Sequence, residues 1–137
     1  MTTVKQFTII PIEACKYFKP KDLYLLAGLY INAPYKEREE YLVTNTTYEQ
    51  LSGTTGVSLD YIKDAFIPRL KETNYVKIET IQESYMVKRN IYHLPNPPKN
   101  FRIIWAELFS DSSLSQWFVI KLYSLRYSCC PIGSYIN

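Results

Sequence analysis

The stretch TTYEQLSGTTGVSLDYIKDAFIPRLKETNYVKI, residues 46–78, decides how this chain folds. A capping box opens it, in which either Thr46 pairs with Glu49 or Thr47 pairs with Gln50. In both arrangements a threonine hydroxyl accepts from a backbone N–H, and the longer side chain reaches back to the backbone of the threonine. The sequence therefore predicts that a short helix begins here, before two glycines interrupt the pattern.

A second helix is predicted after the glycines, with Ser58 as its N-cap and Asn74 as its C-cap. Its apolar side chains recur at helical spacing, at Leu59, Ile62, Phe66 and Leu70. Two short helices joined by a glycine-containing turn form the helix-turn-helix pattern. We therefore predict a helix-turn-helix whose second helix turns this apolar face inward.

Two β-type runs follow this motif directly, over residues 75–81 and 85–92. The polar residues 82–84 are predicted to join them as a hairpin loop, with Tyr85 pairing across the strands. A further run, residues 41–44, is placed to add a third strand. A hairpin after a helix-turn-helix is a wing, so the predicted fold class is α+β: a winged helix-turn-helix with a short three-stranded antiparallel sheet, followed by C-terminal helices.

The N-terminal flank contains an extended segment, residues 7–12, and a predicted helix over residues 21–32. Pro20 opens this helix at the position where proline is best tolerated, because the first N–H of a helix has no internal partner. The apolar residues of the helix recur at helical spacing, which predicts one apolar stripe.

The proline-rich stretch 94–100 is a predicted domain boundary. It divides the chain into a winged-helix domain, 1–98, and a C-terminal helical segment, 99–137. Residues 101–109 and 114–127 are predicted to be helical and are strongly apolar, so they must pack on something. Two alternatives stay open: they complete the core or a homodimer, or they begin a second winged-helix unit.

The composition is that of a globular protein, with 47% hydrophobic and 21% charged residues and a net charge of +3. This mildly basic balance permits nucleic-acid binding but is short of the excess that would announce it. The N-terminus has no long apolar core, so we expect neither a secretory signal nor a membrane anchor. Cys15, Cys129 and Cys130 are expected to be reduced thiols in the cytoplasm.

No constellation of residues predicts catalysis, a metal or a cofactor. His93 is the sole histidine, so a His-pair metal site is excluded, and the adjacent Cys129 and Cys130 lack zinc-site spacing. The four glycines stand in isolated places and form no phosphate-binding loop. We therefore expect that the chain is not an enzyme.

Five segments of the chain follow one another in a fixed order: FTIIPI, KPKDLYLLAGLY, YLVT, the stretch 46–78 and VKRNIYHLP. In this order they resemble the N-terminal winged helix of plasmid and phage replication initiators, including the RepA-type and DnaD-like groups. The resemblance covers residues 7–94 and is specific for the fold rather than for the biological role. It implies double-stranded DNA binding at a replication origin or an operator, by a dimer or by tandem winged helices.

The chain departs from the common pattern of these proteins in its second motif helix. The second and third apolar positions of that helix are usually three residues apart, whereas Phe66 and Leu70 are four apart. The additional residue falls in Ile67-Pro68-Arg69, and a proline inside a helix removes a hydrogen bond. We therefore predict that the helix bends there.

The second helix is the predicted recognition helix, and its DNA-binding residues are the outward Asp60, Tyr61, Lys63 and Asp64 in the major groove, with Ser58 at the start of the helix. Ser58 would hold a phosphate through its backbone N–H, and Lys63 would bind guanine or phosphate. Tyr61 would contact a thymine methyl or a phosphate. The two aspartates repel phosphate, although each can accept from a cytosine amine.

Lys77, Lys88 and Arg89 are predicted to form a basic patch on the wing that contacts phosphate or the minor groove; the alternative is an ordinary charged strand face. The function expected from these residues is sequence-specific binding of double-stranded DNA, by a replication initiator or transcriptional regulator of a bacterial or mobile-element system. The alternative is a winged-helix protein-interaction module without DNA binding. The modest net charge and Asp60 and Asp64 favour that alternative.

Overall fold

The computed structural model describes residues 7–34, 36, 38–97, 99–105 and 109. Within these residues the chain is α+β, with short helices and two small antiparallel sheets. The elements in chain order are β1 (Phe7–Pro11), a 3-10 helix (Ile12–Lys16), α1 (Pro20–Ile31), β2 (Tyr41–Thr44), α2 (Tyr48–Thr55), α3 (Leu59–Tyr61), a π-helical turn (Ile62–Phe66), α4 (Ile67–Thr73), β3 (Lys77–Ser84), β4 (Val87–Pro95) and β5 (Phe101–Trp105).

The larger sheet has three antiparallel strands in the order β2-β4-β3, so the predicted third strand at residues 41–44 is confirmed. Leu42 lies opposite Leu94, and Ile78 lies opposite Tyr92. Leu42, Leu94 and Tyr92 are buried, which marks this face of the sheet as the one that packs on the core.

The second sheet pairs β1 with β5, so the helix predicted over residues 101–109 is wrong over Phe101–Trp105. The segment FRIIW is rich in β-branched and aromatic side chains, and pairing with β1 buries Ile104 beside the chain's N-terminal strand. The residues just past the proline-rich stretch thus belong to the same sheet as β1. The helix predicted over residues 114–127 lies outside the described residues, and the division into two domains stays a prediction.

Helix α1 is buried on every side over residues 22–30, rather than along the single apolar stripe that its sequence predicts. A helix that is covered all round needs packing partners in more than one direction. Tyr30 connects two of them, because its carbonyl accepts from Thr8 Oγ1 of β1 (3.1 Å) and its hydroxyl donates to the Pro95 carbonyl of β4. Among the described helices, none is long and apolar enough to cross a membrane.

The capping box at the start of α2 is formed by Thr47 and Gln50, which is the second of the two pairings that the sequence allows. Thr47 Oγ1 accepts from the Gln50 N–H (3.0 Å), and Gln50 Oε1 accepts from the Thr47 N–H (2.9 Å). The helix ends at Gly56, whose φ of 78° is the left-handed conformation that glycine adopts without strain.

The hairpin turn lies at Tyr85 and Met86, not at the predicted loop 82–84. Ser84 pairs with Val87, and the register is irregular between Gln82 and Ser84. Nearly every residue of β3 is exposed, so no buried face defines where the strand should turn. Tyr85 is 88% exposed in the turn, so the prediction that it pairs across the strands is wrong.

The crossing of α1 and α2 predicts opposite effects for two glycine substitutions. A Cβ at Gly28 would lie 2.7 Å from Thr55 Cγ2 and 2.9 Å from Leu51 Cδ1, whereas a Cβ at Gly53 would meet nothing within 4 Å. We expect Gly28→Ala to destabilise the protein by about 1–2 kcal/mol, because overpacking outweighs the gain in helix propensity. Gly53→Ala, the matched control, should stabilise it by roughly 0.5–1 kcal/mol. Urea unfolding measures the free energy of unfolding of both variants. A Gly28→Ala variant as stable as the unaltered protein would show that α2 can move to make room for the added methyl group.

Candidate nucleic-acid interface

Residues 59–73 form one continuous helical segment from α3, the π-helical turn and α4, which we call the composite helix. Ile62, Phe66 and Leu70 have no exposed surface, and Leu59 is half-buried. The inward face predicted from the sequence is therefore confirmed. Asn74 ends the helix in the left-handed conformation, with its N–H donating to the Leu70 carbonyl (3.2 Å).

The π-helical turn accommodates the additional residue that the sequence places between Phe66 and Leu70. The N–H of Ile67 donates to the carbonyl of Ile62, five residues back, instead of four as in an α-helix. Pro68 follows at once and has no N–H, so it cannot supply the α-type partner of the Asp64 carbonyl. The wider turn brings both Phe66 and Ile67 into the core, and the helical path continues through the proline.

The predicted outward side chains of the composite helix lie on its solvent-facing side with one exception. Asp60, Lys63 and Asp64 are exposed, and so is Ser58, the residue before the helix. Ser58 Oγ accepts from the Tyr61 N–H (3.2 Å), which confirms it as the N-cap. This face therefore offers two carboxylates and one ammonium to a partner.

Tyr61 is the exception, because its side chain is held by helix α1. Its hydroxyl donates to Oδ1 of the buried Asp22 (2.8 Å), and Nζ of Lys21 lies 4.1 Å above the centre of its ring. Burial, and after it the hydrogen bond and charge of Asp22, raise the pKa of Tyr61 to about 12. The hydroxyl that the sequence assigns to a DNA contact is thus already occupied within the protein.

The basic patch predicted on the hairpin does not form as one surface. Lys77 lies opposite His93 and Arg89 opposite Ile81, which places Lys77 and Arg89 on one face of the hairpin. Lys88 lies opposite Gln82, on the other face, because successive side chains of a strand alternate. The prediction of a single three-residue patch is therefore wrong. The strand register, which the sequence alone does not define, places Lys88 on the face opposite to Lys77 and Arg89.

Carboxylates lie against two basic side chains of the hairpin. Arg89 forms an ion pair with Glu83 (2.8 Å), and His93 Nε2 lies 3.3 Å from Glu79. Lys88, by contrast, is exposed and forms no ion pair within the described part of the chain. Lys88, like Lys77 on the other face, which is also exposed and has no ion pair among the described residues, is thus better able than Arg89 to bind an anion.

The hairpin is tied to α2 by a chain of polar side chains on the face that carries Lys88. Thr80 Oγ1 donates to Asn90 Oδ1 (2.9 Å), and Asn90 Nδ2 donates to the Tyr48 hydroxyl (3.3 Å) in the first turn of α2. The orientation of the hairpin relative to the helices is therefore fixed by hydrogen bonds. Tyr85 and Met86 project beyond this contact at the tip, 88% and 82% exposed.

Sequence reasoning missed Lys21 and Asp22, which belong to the surroundings of the composite helix. They precede the apolar positions of α1, and no motif marks them. Only the packing of α1 against Tyr61 reveals their place. No protein-family model, curated protein sequence or solved structure matches the chain.

The pKa values of Tyr61 and Tyr92 predict how the stability of the fold changes at high pH. Burial raises the pKa of Tyr92 to about 12, the value that Tyr61 also reaches in the folded state, against an ordinary 10.0. Below pH 10 both states keep these protons, so stability does not depend on them. As pH rises from about 10 to about 12 the unfolded state loses its protons first, and the folded state is destabilised.

We expect Tyr61→Phe to weaken this alkaline loss of stability, because one late-titrating hydroxyl is removed. Tyr85→Phe at the exposed hairpin tip is the matched control and should leave the loss unchanged. Urea unfolding at stepped pH, followed alongside tyrosinate absorbance, measures both. A Tyr61→Phe profile identical to that of the control would mean that burial and Asp22 do not raise the pKa of Tyr61 in solution.

Proposed function

We propose that the chain is a winged-helix protein that binds double-stranded DNA at specific sequences, as a replication initiator or transcriptional regulator of a bacterial or mobile-element system. One observation carries the proposal: the order α1, β2, α2, composite helix, β3 and β4, with β2 and β3 on either side of β4. This order sets a helix with an exposed polar face beside a projecting hairpin. It supports the proposal because winged-helix proteins place one helix in the major groove and a wing on the flanking backbone.

In this proposal the composite helix lies in the major groove with Lys63 toward guanine acceptors or a phosphate. Asp60 and Asp64 accept from cytosine amines, and they penalise duplexes that present acceptors at the same positions. Ser58 offers the start of the helix to a phosphate. The protein is expected to act in the cytoplasm; the homodimer predicted through the C-terminal helices concerns residues outside the described part of the chain.

Titration of labelled duplexes by fluorescence anisotropy at several salt concentrations tests this function. Selection from a random pool supplies the preferred duplex, and an unselected duplex is the reference. Lys63→Ala should cost about 1–3 kcal/mol on the selected duplex and little on the reference, because a base contact specifies sequence. Binding without any salt dependence, or a pool that yields no preferred duplex, would contradict the proposal.

The two neighbouring hairpin cations serve as matched variants in the same titrations. Lys88→Ala should flatten the log–log salt dependence by about one unit, because an ammonium without a carboxylate partner releases a counterion on binding phosphate. Arg89→Ala should change it little, since Glu83 already pairs with that guanidinium on the opposite face. Equal effects of the two variants would contradict this arrangement of the wing.

The exposed hairpin tip favours a second candidate, a protein-interaction module. Tyr85 and Met86 are 88% and 82% exposed, and large side chains of this kind are enriched where proteins bind one another. Replacement of both by serine should then abolish co-purification of a partner from the native host while the melting temperature stays unchanged. If the protein binds only DNA, the double variant should co-purify with the same proteins as the unaltered chain, and Lys63→Ala should be the variant that loses DNA binding.

A further inference from the structure

Helix α1 delivers a cation to the composite helix that neither the sequence pattern nor the predicted contacts include. Lys21 stands in the first turn of α1, and its Nζ lies 4.1 Å above the ring of Tyr61. The two residues are forty positions apart in the chain, so tertiary packing alone brings them together. Lys21 is exposed, which leaves its ammonium open to solvent beside the polar face of the helix.

The ring of Tyr61 is fixed as a platform for this ammonium. The Tyr61 hydroxyl donates to Oδ1 of Asp22 (2.8 Å), and Asp22 is only 4% exposed, so the far end of the ring cannot move freely. An ammonium above an aromatic face is held by electrostatic attraction and uses none of its three N–H donors in directed hydrogen bonds. The position of Lys21 is therefore set while its donors stay available.

Lys21 also differs from two arginines of the structure in having no carboxylate partner among the described residues. Arg69 on the composite helix forms an ion pair with Glu72 (3.0 Å), and Arg89 on the hairpin forms one with Glu83 (2.8 Å). For the residues that the structure describes, Lys21 forms no ion pair with a carboxylate. A positioned and uncompensated ammonium is suited to an anionic oxygen from outside the protein.

We propose that Lys21 binds a phosphate of the DNA backbone and that Tyr61 is its positioning residue rather than a base contact. This inference rests on the proposed function. The first turns of the composite helix carry Asp60 and Asp64 against Lys63 alone, so they would repel a duplex backbone. Lys21 adds a second cation beside Lys63 and fixes how the helix lies against the duplex, without reading its sequence.

The test measures the salt dependence of binding to a labelled duplex of random sequence, because a phosphate contact is independent of sequence. Lys21→Ala should flatten the log–log slope by about one unit. Lys99→Ala removes the same charge from the cleft between the two sheets and is the matched control, with an unchanged slope expected. Both lysines are exposed, so neither variant endangers folding.

Substitutions that remove either the hydroxyl or the whole aromatic ring of Tyr61 test its role, with the slope of the salt dependence as the measured quantity. Tyr61→Phe keeps the aromatic face and loses only the hydrogen bond to Asp22, so it should flatten the slope less than Tyr61→Leu, which should flatten it as Lys21→Ala does. In the double variant Lys21→Ala with Tyr61→Leu, no further flattening is expected, because Tyr61 acts only through Lys21. A purely structural role would instead lower the melting temperature and add its effect to that of Lys21→Ala.

The outcomes separate this inference from the proposed function. Salt-dependent binding by the unaltered protein, with the slope of Lys21→Ala equal to that of Lys99→Ala, overturns the inference alone. Absence of salt-dependent binding to any duplex by the unaltered protein overturns both. Additive slopes for Lys21→Ala and Tyr61→Leu would leave Lys21 as a phosphate contact and overturn the positioning role of Tyr61.

Discussion

Because α1 carries apolar side chains on every side, it needs cover from several directions, and the remaining elements are arranged to supply it. The β1–β5 sheet covers one side, α2 crosses at Gly28, and the three-stranded sheet is reached through the Tyr30 hydroxyl. Burial raises the pKa of Tyr30 well above its ordinary value, as expected for a phenol that is removed from water. The fold depends on this one helix being enclosed.

The same helix determines where the candidate interface lies. Its core-facing residues hold the sheets, while its first turn holds the composite helix through Asp22 and Tyr61. Asp22 lies in the first turn of α1, where the positive end of the helix dipole favours an acidic side chain, and its Oδ1 accepts from the Tyr61 hydroxyl. The helix that exposes Asp60, Lys63 and Asp64 is thus held in two ways: by its own buried apolar face and by the contact of Tyr61 with α1.

The sequence predicted those elements whose signals are local. Thr47, Gln50, Ser58 and Asn74 occupy cap positions because their side chains or backbone satisfy helix ends within a few residues, so their patterns can be found without the fold. The additional residue before Leu70 was also visible, although the pattern predicted a bend and could not specify the π-helical turn that accommodates it.

The rest required contacts between distant residues. The segment FRIIW suits a helix or a strand by composition, and only the unpaired edge of β1 makes it a strand. The single patch of hairpin cations was predicted wrongly because the strand register decides on which face each side chain lies. The sequence of β3 does not define that register, since almost none of its residues is buried. Lys21 could not be assigned at all, since its partner is forty positions away.

The distribution of charge limits how any duplex is held. Residues 46–73 carry four carboxylates and three cations, namely Glu49, Asp60, Asp64 and Glu72 against Lys63, Arg69 and Lys71. In the proposed complex, attraction of phosphate would then come mainly from outside this segment, from exposed cations such as Lys77 and Lys88 on the hairpin and Lys21 on α1. Non-specific affinity from so few contacts is small, so base contacts would have to supply a large share of the specific binding energy. A helix face with two aspartates favours such selectivity. It repels duplexes that present no cytosine amine to donate to these carboxylates.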